Sequence, residues 1–132
     1  VSPKVVTMMI GTNHLHNIRK NHQPDGTADI VLGIQEVIKE IQKRLPDSKI
    51  ILFSVFPRKD PTEYSRVRAL NKELPKVADN RQIFHEDINA VFLDKSGQIS
   101  KNLYSRDGLH LNDQGYATWG KALLPILKKY GL

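Results

Sequence analysis

The sequence of 132 residues contains no cysteine. A chain without thiols can form no disulfide bond and offers neither a cysteine nucleophile nor a thiolate metal ligand. It also has no run that approaches the roughly 18 consecutive apolar residues of a membrane-spanning helix. Hydrophobic residues make up 39% of the chain and aromatic residues only 7%. These proportions indicate one globular domain, large enough to bury a core without disulfides or structural zinc.

Acidic residues are also fewer than basic residues. Lys and Arg total 20 and Asp and Glu total 14, which gives a net charge of +6. An excess of positive charge suits an anionic partner such as a nucleic acid. The basic residues, however, are spread along the whole chain in runs of no more than two, as in Arg19-Lys20 and Lys128-Lys129. We therefore expect no nucleic-acid partner and no membrane span.

Apolar runs predict three strands. The segments Val5 to Ile10 and Ile50 to Phe56 are almost continuously apolar, which is typical of parallel strands covered on both faces. A weaker third strand is predicted around Gln82 to Ile88. The first run ends in the turn-forming residues Gly11-Thr12-Asn13 and the second ends at Pro57.

Three predicted helices alternate with these strands. Apolar residues at helical spacing predict the first over 30–45 and the second over 67–77, where Pro75 is expected to bend or shorten it. Asn112 is the predicted N-cap of the last. The residues expected to face inward from that helix are Tyr116, Trp119, Leu123, Leu124 and Leu127. The alternation predicts an α/β fold with a parallel sheet, in one domain.

Asp107 and His110 lie three residues apart in the loop before the last helix. A general base needs an imidazole whose tautomer is fixed by an acceptor on its other nitrogen, and a nearby carboxylate provides one. On spacing alone the alternative stays open that Asp107 stabilises a turn and that His110 is an ordinary loop residue.

A second candidate group follows the first strand. The side-chain amide of Asn13 would lie at the rim of the sheet, where it could donate to an oxyanion, and Gly11 would allow close backbone approach. A plain turn asparagine is the alternative.

The Gly11-Thr12-Asn13 block and the later DGLHLNDQGY segment together resemble the SGNH (GDSL-type) hydrolase family, in the branch related to platelet-activating-factor acetylhydrolase catalytic subunits and bacterial carbohydrate esterases. The resemblance extends over essentially the whole chain. It implies a three-layer α/β/α flavodoxin-like fold whose N-terminal strands are missing, so that residues 1–132 are the C-terminal portion of one domain.

The resemblance also implies a function and roles for the candidate residues. His110 would be the catalytic base, Asp107 would orient it, and Asn13, with Gly11 opening its block, would stabilise the oxyanion of an ester hydrolase. Acetyl or other short acyl esters, including acetylated carbohydrates, are the expected substrates, and no metal or organic cofactor is implied. The alternative is a non-catalytic domain that binds an acylated carbohydrate or a protein partner.

The family's nucleophile, a serine in a Gly-Asp-Ser block, has no counterpart in this chain. Of the seven serines, Ser54 lies in a strand and Ser105 lies too close to Asp107 to substitute. Because the chain begins at Val1 and enters a strand almost at once, we expect the nucleophile in an upstream segment or a second chain. Alone, the chain would be a poor catalyst with an exposed apolar sheet edge.

The remaining candidate residues carry weaker expectations. The pair His14 and His16 could begin a metal site, but a solvated loop is favoured because no further ligand cluster is evident. His22 is expected in an exposed loop, and His85 in the third strand as a core or edge residue. For Arg58, a place at the substrate mouth and a purely structural place are equally supported.

Overall fold

The protein consists of strands and helices that alternate around a parallel sheet. The computed structural model describes residues 2–12 and 26–132. The elements within these ranges are β1 (Val5–Met8), α1 (Thr27–Arg44), β2 (Lys49–Phe53), α2 (Pro61–Glu73), β3 (Ile83–Glu86) and α3 (Asp113–Lys129), with short 3-10 turns at Leu74–Val77, Asn89–Phe92 and Lys101–Leu103. The predicted α/β class is confirmed. In the same ranges no helix combines the length and the apolar character that a membrane crossing requires.

The three strands are parallel in the order β1-β2-β3. In their register Val5 lies opposite Lys49, and Ile50 lies opposite Ile83. The central strand β2 is covered on both faces, and Ile50, Ile51 and Leu52 are completely buried. This double cover explains why the sequence of β2 is continuously apolar rather than alternating.

Helices cover the two faces of the sheet and form two hydrophobic clusters. On one face, Ile34 and Ile38 of α1 and Leu70 of α2 pack with Leu52. On the opposite face, Trp119 of α3 packs against a cluster that includes Ile51 and Phe53 of β2, Phe56 of the loop after β2, and Phe92 of a 3-10 turn. The arrangement is the predicted three-layer α/β/α sandwich.

Local sequence signals set the ends of α2. Asp60 is its N-cap, and the Oδ1 atom of Asp60 accepts a hydrogen bond of 2.8 Å from the Glu63 amide. The α-helix ends at Glu73, and Pro75 lies within the following 3-10 turn. Pro75 therefore shortens the helix as predicted, because its nitrogen cannot donate to a preceding carbonyl.

The inward face of α3 differs from the prediction. Trp119 and Leu123 pack against the sheet, and Leu127 is half-buried. Tyr116 and Leu124, however, are 55% and 60% exposed. Leu124 therefore lies on the solvent side of α3, next to the inward-facing Leu123. The inward prediction for Tyr116 and Leu124 was wrong.

Strand β1 forms hydrogen bonds along one side only within the part of the chain that the structure describes. The Lys49 amide of β2 donates to the Lys4 carbonyl at 3.0 Å. The backbone N–H and C=O groups of the even-numbered residues of β1 therefore point toward β2. The backbone groups of Val5 and Thr7 consequently point away from the sheet. Thr7 is also exposed. This strand is a sheet edge, as the sequence predicts.

Candidate active site

Asp107 accepts three hydrogen bonds that hold the turn carrying His110. Asp107 Oδ1 accepts from the amides of Leu109 at 2.9 Å and of His110 at 3.0 Å. Asp107 Oδ2 lies 2.6 Å from His110 Nδ1. The carboxylate therefore both shapes the turn and fixes the orientation of the ring. With Nδ1 protonated for this bond, Nε2 is left as the acceptor nitrogen of a neutral ring.

The electrostatics of the pair favour an ionised carboxylate. The hydrogen bond from His110, supplemented by the backbone amides of Leu109 and His110, lowers the pKa of Asp107 to about 2. The side chains of His110 and Asp107 are 70% and 47% exposed. A charged acceptor and an accessible imidazole are thus present together at neutral pH.

The loop that carries this pair is fixed to the end of β2. The Gly108 carbonyl accepts a 3.0 Å hydrogen bond from the Lys59 amide, and the Tyr104 hydroxyl donates to the Pro57 carbonyl at 2.7 Å. Gly108 has a φ of +65°, and a Cβ there would lie 2.3 Å from the Lys59 Cβ. Both the backbone conformation and the close contact require glycine at this position.

Asn112 connects the loop to α3. Its Oδ1 caps the helix by accepting from the Gly115 amide at 3.0 Å. Its Nδ2 donates to the carbonyls of Asn102 at 2.8 Å and of Tyr104 at 3.3 Å. One side chain thus begins the helix and closes the base of the His110 loop.

Gly11 and Arg58 hold the segment that leads to Asn13. Gly11 is buried with a φ of +119°, and an added Cβ would lie 3.0 Å from a Leu70 methyl carbon. The Arg58 guanidinium donates to the Thr12 carbonyl at 2.9 Å. Asn13 itself lies outside the described residues, as do His14, His16 and His22.

Arg58 is a buried residue of the loop after β2. It is 5% exposed, and its Nη1 forms a 3.0 Å ion pair with Glu63 Oε2 of α2. Arg58 thus connects the segment after β1, through Thr12, to helix α2, through Glu63. The loops after β1 and β2 and the loop before α3 are therefore connected at the carboxyl edge of the sheet, where parallel α/β folds place their sites.

A contact that sequence reasoning missed joins Ser54 and His85. Ser54 Oγ lies 2.9 Å from His85 Nε2, and Ser54 is 2% exposed. Burial lowers the pKa of His85, while the charges of Asp87 and Glu86 oppose that effect. Only the register of β2 and β3 brings these two residues together, so no local pattern could have revealed the contact.

Within residues 2–12 and 26–132, no three His, Asp or Glu side chains gather as metal ligands do. The sequence alternative of a metal site at His14 and His16 falls outside these ranges.

Comparison with known proteins gives the chain a family. The family model described as "GDSL-like Lipase/Acylhydrolase family" matches residues 1–118. The chain belongs to this family. Among GDSL-like relatives, platelet-activating factor acetylhydrolase IB subunit alpha2 of Rattus norvegicus is 31% identical over 134 residues, covering 96% of this chain and 53% of that protein. The chain thus spans about half the length of the curated relatives it matches.

Two solved structures that are similar to this chain share its fold. A GDSL-like lipase from Bacteroides thetaiotaomicron superposes with a TM-score of 0.69 at 21% identity, over 96% of this chain and 63% of its own. A carbohydrate esterase family 3 protein from Talaromyces cellulolyticus gives a TM-score of 0.65 at 18% identity, over 96% of this chain and 60% of its own. At these identities the likeness bears on the fold alone.

Proposed function

We propose that this chain supplies the base and the oxyanion donor of a serine esterase whose nucleophile lies outside residues 1–132. The 2.6 Å contact between His110 Nδ1 and Asp107 Oδ2, with the imidazole 70% exposed, carries the proposal. The membership of the GDSL-like family supports the reaction class.

The proposed reaction divides ester hydrolysis into two steps. His110 Nε2 takes the proton of the serine hydroxyl as the oxygen attacks the ester carbonyl, and Asp107 stabilises the imidazolium that forms. The amide of Asn13 donates to the oxyanion, with Gly11 shaping the backbone before it. His110 then returns the proton to the leaving alcohol, and water, deprotonated by the same imidazole, hydrolyses the acyl-enzyme. These steps need no metal or organic cofactor.

Short acyl groups are the proposed substrates, acetyl foremost. The rat relative is named an acetylhydrolase, and the fungal structural neighbour is named a carbohydrate esterase. An acetylated small molecule or carbohydrate therefore fits both the family and these names.

The edge of β1 that has no partner strand among the described residues supports the proposed place of the nucleophile. A segment that adds strands beside Val5 and Thr7 would complete the sheet and bring its own loops to the carboxyl edge. That segment is either an upstream part of the same polypeptide or a second chain.

The test measures hydrolysis of p-nitrophenyl acetate by the full-length product of the gene. We expect His110→Ala to lower kcat by about 10⁴-fold or more, and Asp107→Asn by about 10³–10⁴-fold, because triad members act as a unit. Asp94→Asn is the matched control, since Asp94 also accepts the amides of its own turn but has no histidine partner.

Two results would contradict the proposal. Unchanged kcat in His110→Ala, with the parent protein well above background, would exclude the imidazole as the base. Background rates for both proteins on acetyl esters of nitrophenol and of sugars would favour the non-catalytic binding domain.

A further inference from the structure

We propose that a groove beside the Asp107–His110 loop binds an anionic group, a phosphate or a carboxylate, on the alcohol part of the ester. This inference rests on the proposed esterase function and specifies its substrate class. The groove, named here the basic groove, consists of two hollows of about 450 and 280 Å³ that share Lys59, Ile99 and Lys101 on their walls.

The walls of the basic groove carry five cationic residues, of which Arg58 is paired with Glu63 behind the wall. Their cationic residues are Arg58, Lys59, Arg68, Lys101 and Arg106, and no Asp or Glu lines either hollow. Clustered like charges in a concave surface with low-dielectric walls create a strong local potential. Such a potential is relieved when an anion binds.

Several basic residues elsewhere on the surface are paired with carboxylates. Lys39, Lys76 and Lys129 each contact a glutamate, at 2.8, 2.7 and 2.7 Å. In the described part of the chain, Lys59 and Lys101 have no carboxylate partner. Lys59 and Lys101 therefore remain available to an external anion.

Two further residues give the groove a fixed part. Arg58 is 5% exposed on its wall, and the buried Nε of Arg58 has no hydrogen-bond partner among the described residues. The Arg68 guanidinium lies 4.8 Å from the centre of the Tyr64 ring, a cation–π contact that limits its motion. Part of the charge is thus held in place before a ligand arrives, which lowers the entropic cost of binding.

The groove and the proposed base belong to one connected structure. Lys59 contacts Gly108 both through its amide and through its side chain, and Gly108 lines the smaller hollow. A substrate whose anionic group lies in the groove would extend along the loop that carries His110. The hollows suit a single anionic group or sugar better than the extended backbone of a nucleic acid.

Calorimetric titration of the purified protein tests the groove without any need for catalysis. The probes are inorganic phosphate, glycerol 3-phosphate and glucuronate, with glycerol as the neutral reference. We expect the anions to bind and glycerol to give no heat of binding. Whichever of glycerol 3-phosphate and glucuronate binds with the lower dissociation constant indicates whether the groove prefers a phosphate or a carboxylate.

Paired substitutions separate the groove from the net charge of the protein. We expect Lys59→Gln with Lys101→Gln to weaken anion binding at least tenfold. The pair Lys43→Gln and Lys121→Gln, at exposed sites on α1 and α3, removes the same charge and should change it less than twofold. Because the Lys59 stem also packs on Gly108, Lys101→Gln with Arg106→Gln serves as a second test pair.

The outcomes also separate this inference from the esterase proposal. The proposed anion site would be overturned if the groove pair and the control pair weakened anion binding equally. The absence of anion binding at low salt would also overturn it. His110→Ala should abolish ester hydrolysis yet leave anion binding within twofold of the parent value. Anion binding at the groove combined with unchanged hydrolysis in His110→Ala would overturn the esterase proposal alone.

Discussion

His85 is a titratable residue of β3, and its ring contacts Ser54, the residue that follows β2. The Oγ atom of Ser54 lies 2.9 Å from Nε2 of His85. Burial lowers the pKa of His85 below its ordinary value of 6.5. The folded state therefore binds this proton less tightly than the unfolded state does, and stability must fall as the pH drops through the unfolded value.

We expect the melting temperature to decrease more between pH 7.5 and 5.5 in the parent protein than in His85→Gln. The difference should reach at least about 1 °C, since 1 kcal/mol corresponds to roughly 4 °C in a domain of this size. Thermal unfolding followed by circular dichroism at the two pH values measures it.

Ser54→Ala is the control for this pH effect. Because burial rather than the hydroxyl is the main cause of the lowered pKa of His85, Ser54→Ala should keep the pH dependence. Asp107 cannot contribute in this window, since its pKa is about 2. Equal pH dependence in the parent protein and His85→Gln would refute the assignment.

Helix α3 depends on its N-cap residue, Asn112, for both its start and its position. Asn112→Ala removes the cap of Gly115 and the donors to Asn102 and Tyr104. We expect a loss of about 1–2 kcal/mol in the free energy of unfolding, measured by urea denaturation. Asn112→Asp, which keeps the capping acceptor and loses the donor, should retain part of that stability. A full loss in Asn112→Asp would show that the helix cap contributes nothing.

Elements were predictable where the signal lies within a short segment. The strand β2, the shortening of α2 by Pro75 and the Asn112 cap each follow from a few neighbouring residues. The exposure of Tyr116 and Leu124 was not predicted, because helical spacing alone does not say how much of a helix face the sheet covers.

The candidate site was predictable for the same reason only in part. Asp107 and His110 lie close in sequence, so their contact follows from a turn. The contacts of Arg58 with Thr12 and of Lys59 with Gly108 depend on which strands are neighbours. Only the folded sheet reveals that these loops meet.

At the scale of the whole molecule, one edge of β1 has no partner strand among the described residues. Unpaired strand edges associate with other strands. We expect the protein either to have a mass above 15.0 kDa or to associate with a second chain or copy. Intact and native mass spectrometry together measure both possibilities.

Thr7→Pro tests the role of this edge directly. It removes an amide that points away from β2, so it should reduce association while keeping the pairing of β1 with β2. Val6→Pro is the contrasting variant, because its amide faces β2 and its loss should destabilise the fold. A stable 15.0 kDa monomer with a cooperative thermal transition would contradict the expectation.

The hydrogen bond from the Lys59 amide to the Gly108 carbonyl has a consequence for measuring motion. Lys59 is an exposed residue outside the helices and strands, and this bond of 3.0 Å is what shields its amide from water. The hydrogen–deuterium exchange rate of that single amide therefore reports how often the His110 loop separates from the end of β2. This exchange rate measures the frequency of loop opening in the free protein, so the measurement needs no substrate and no catalytic turnover.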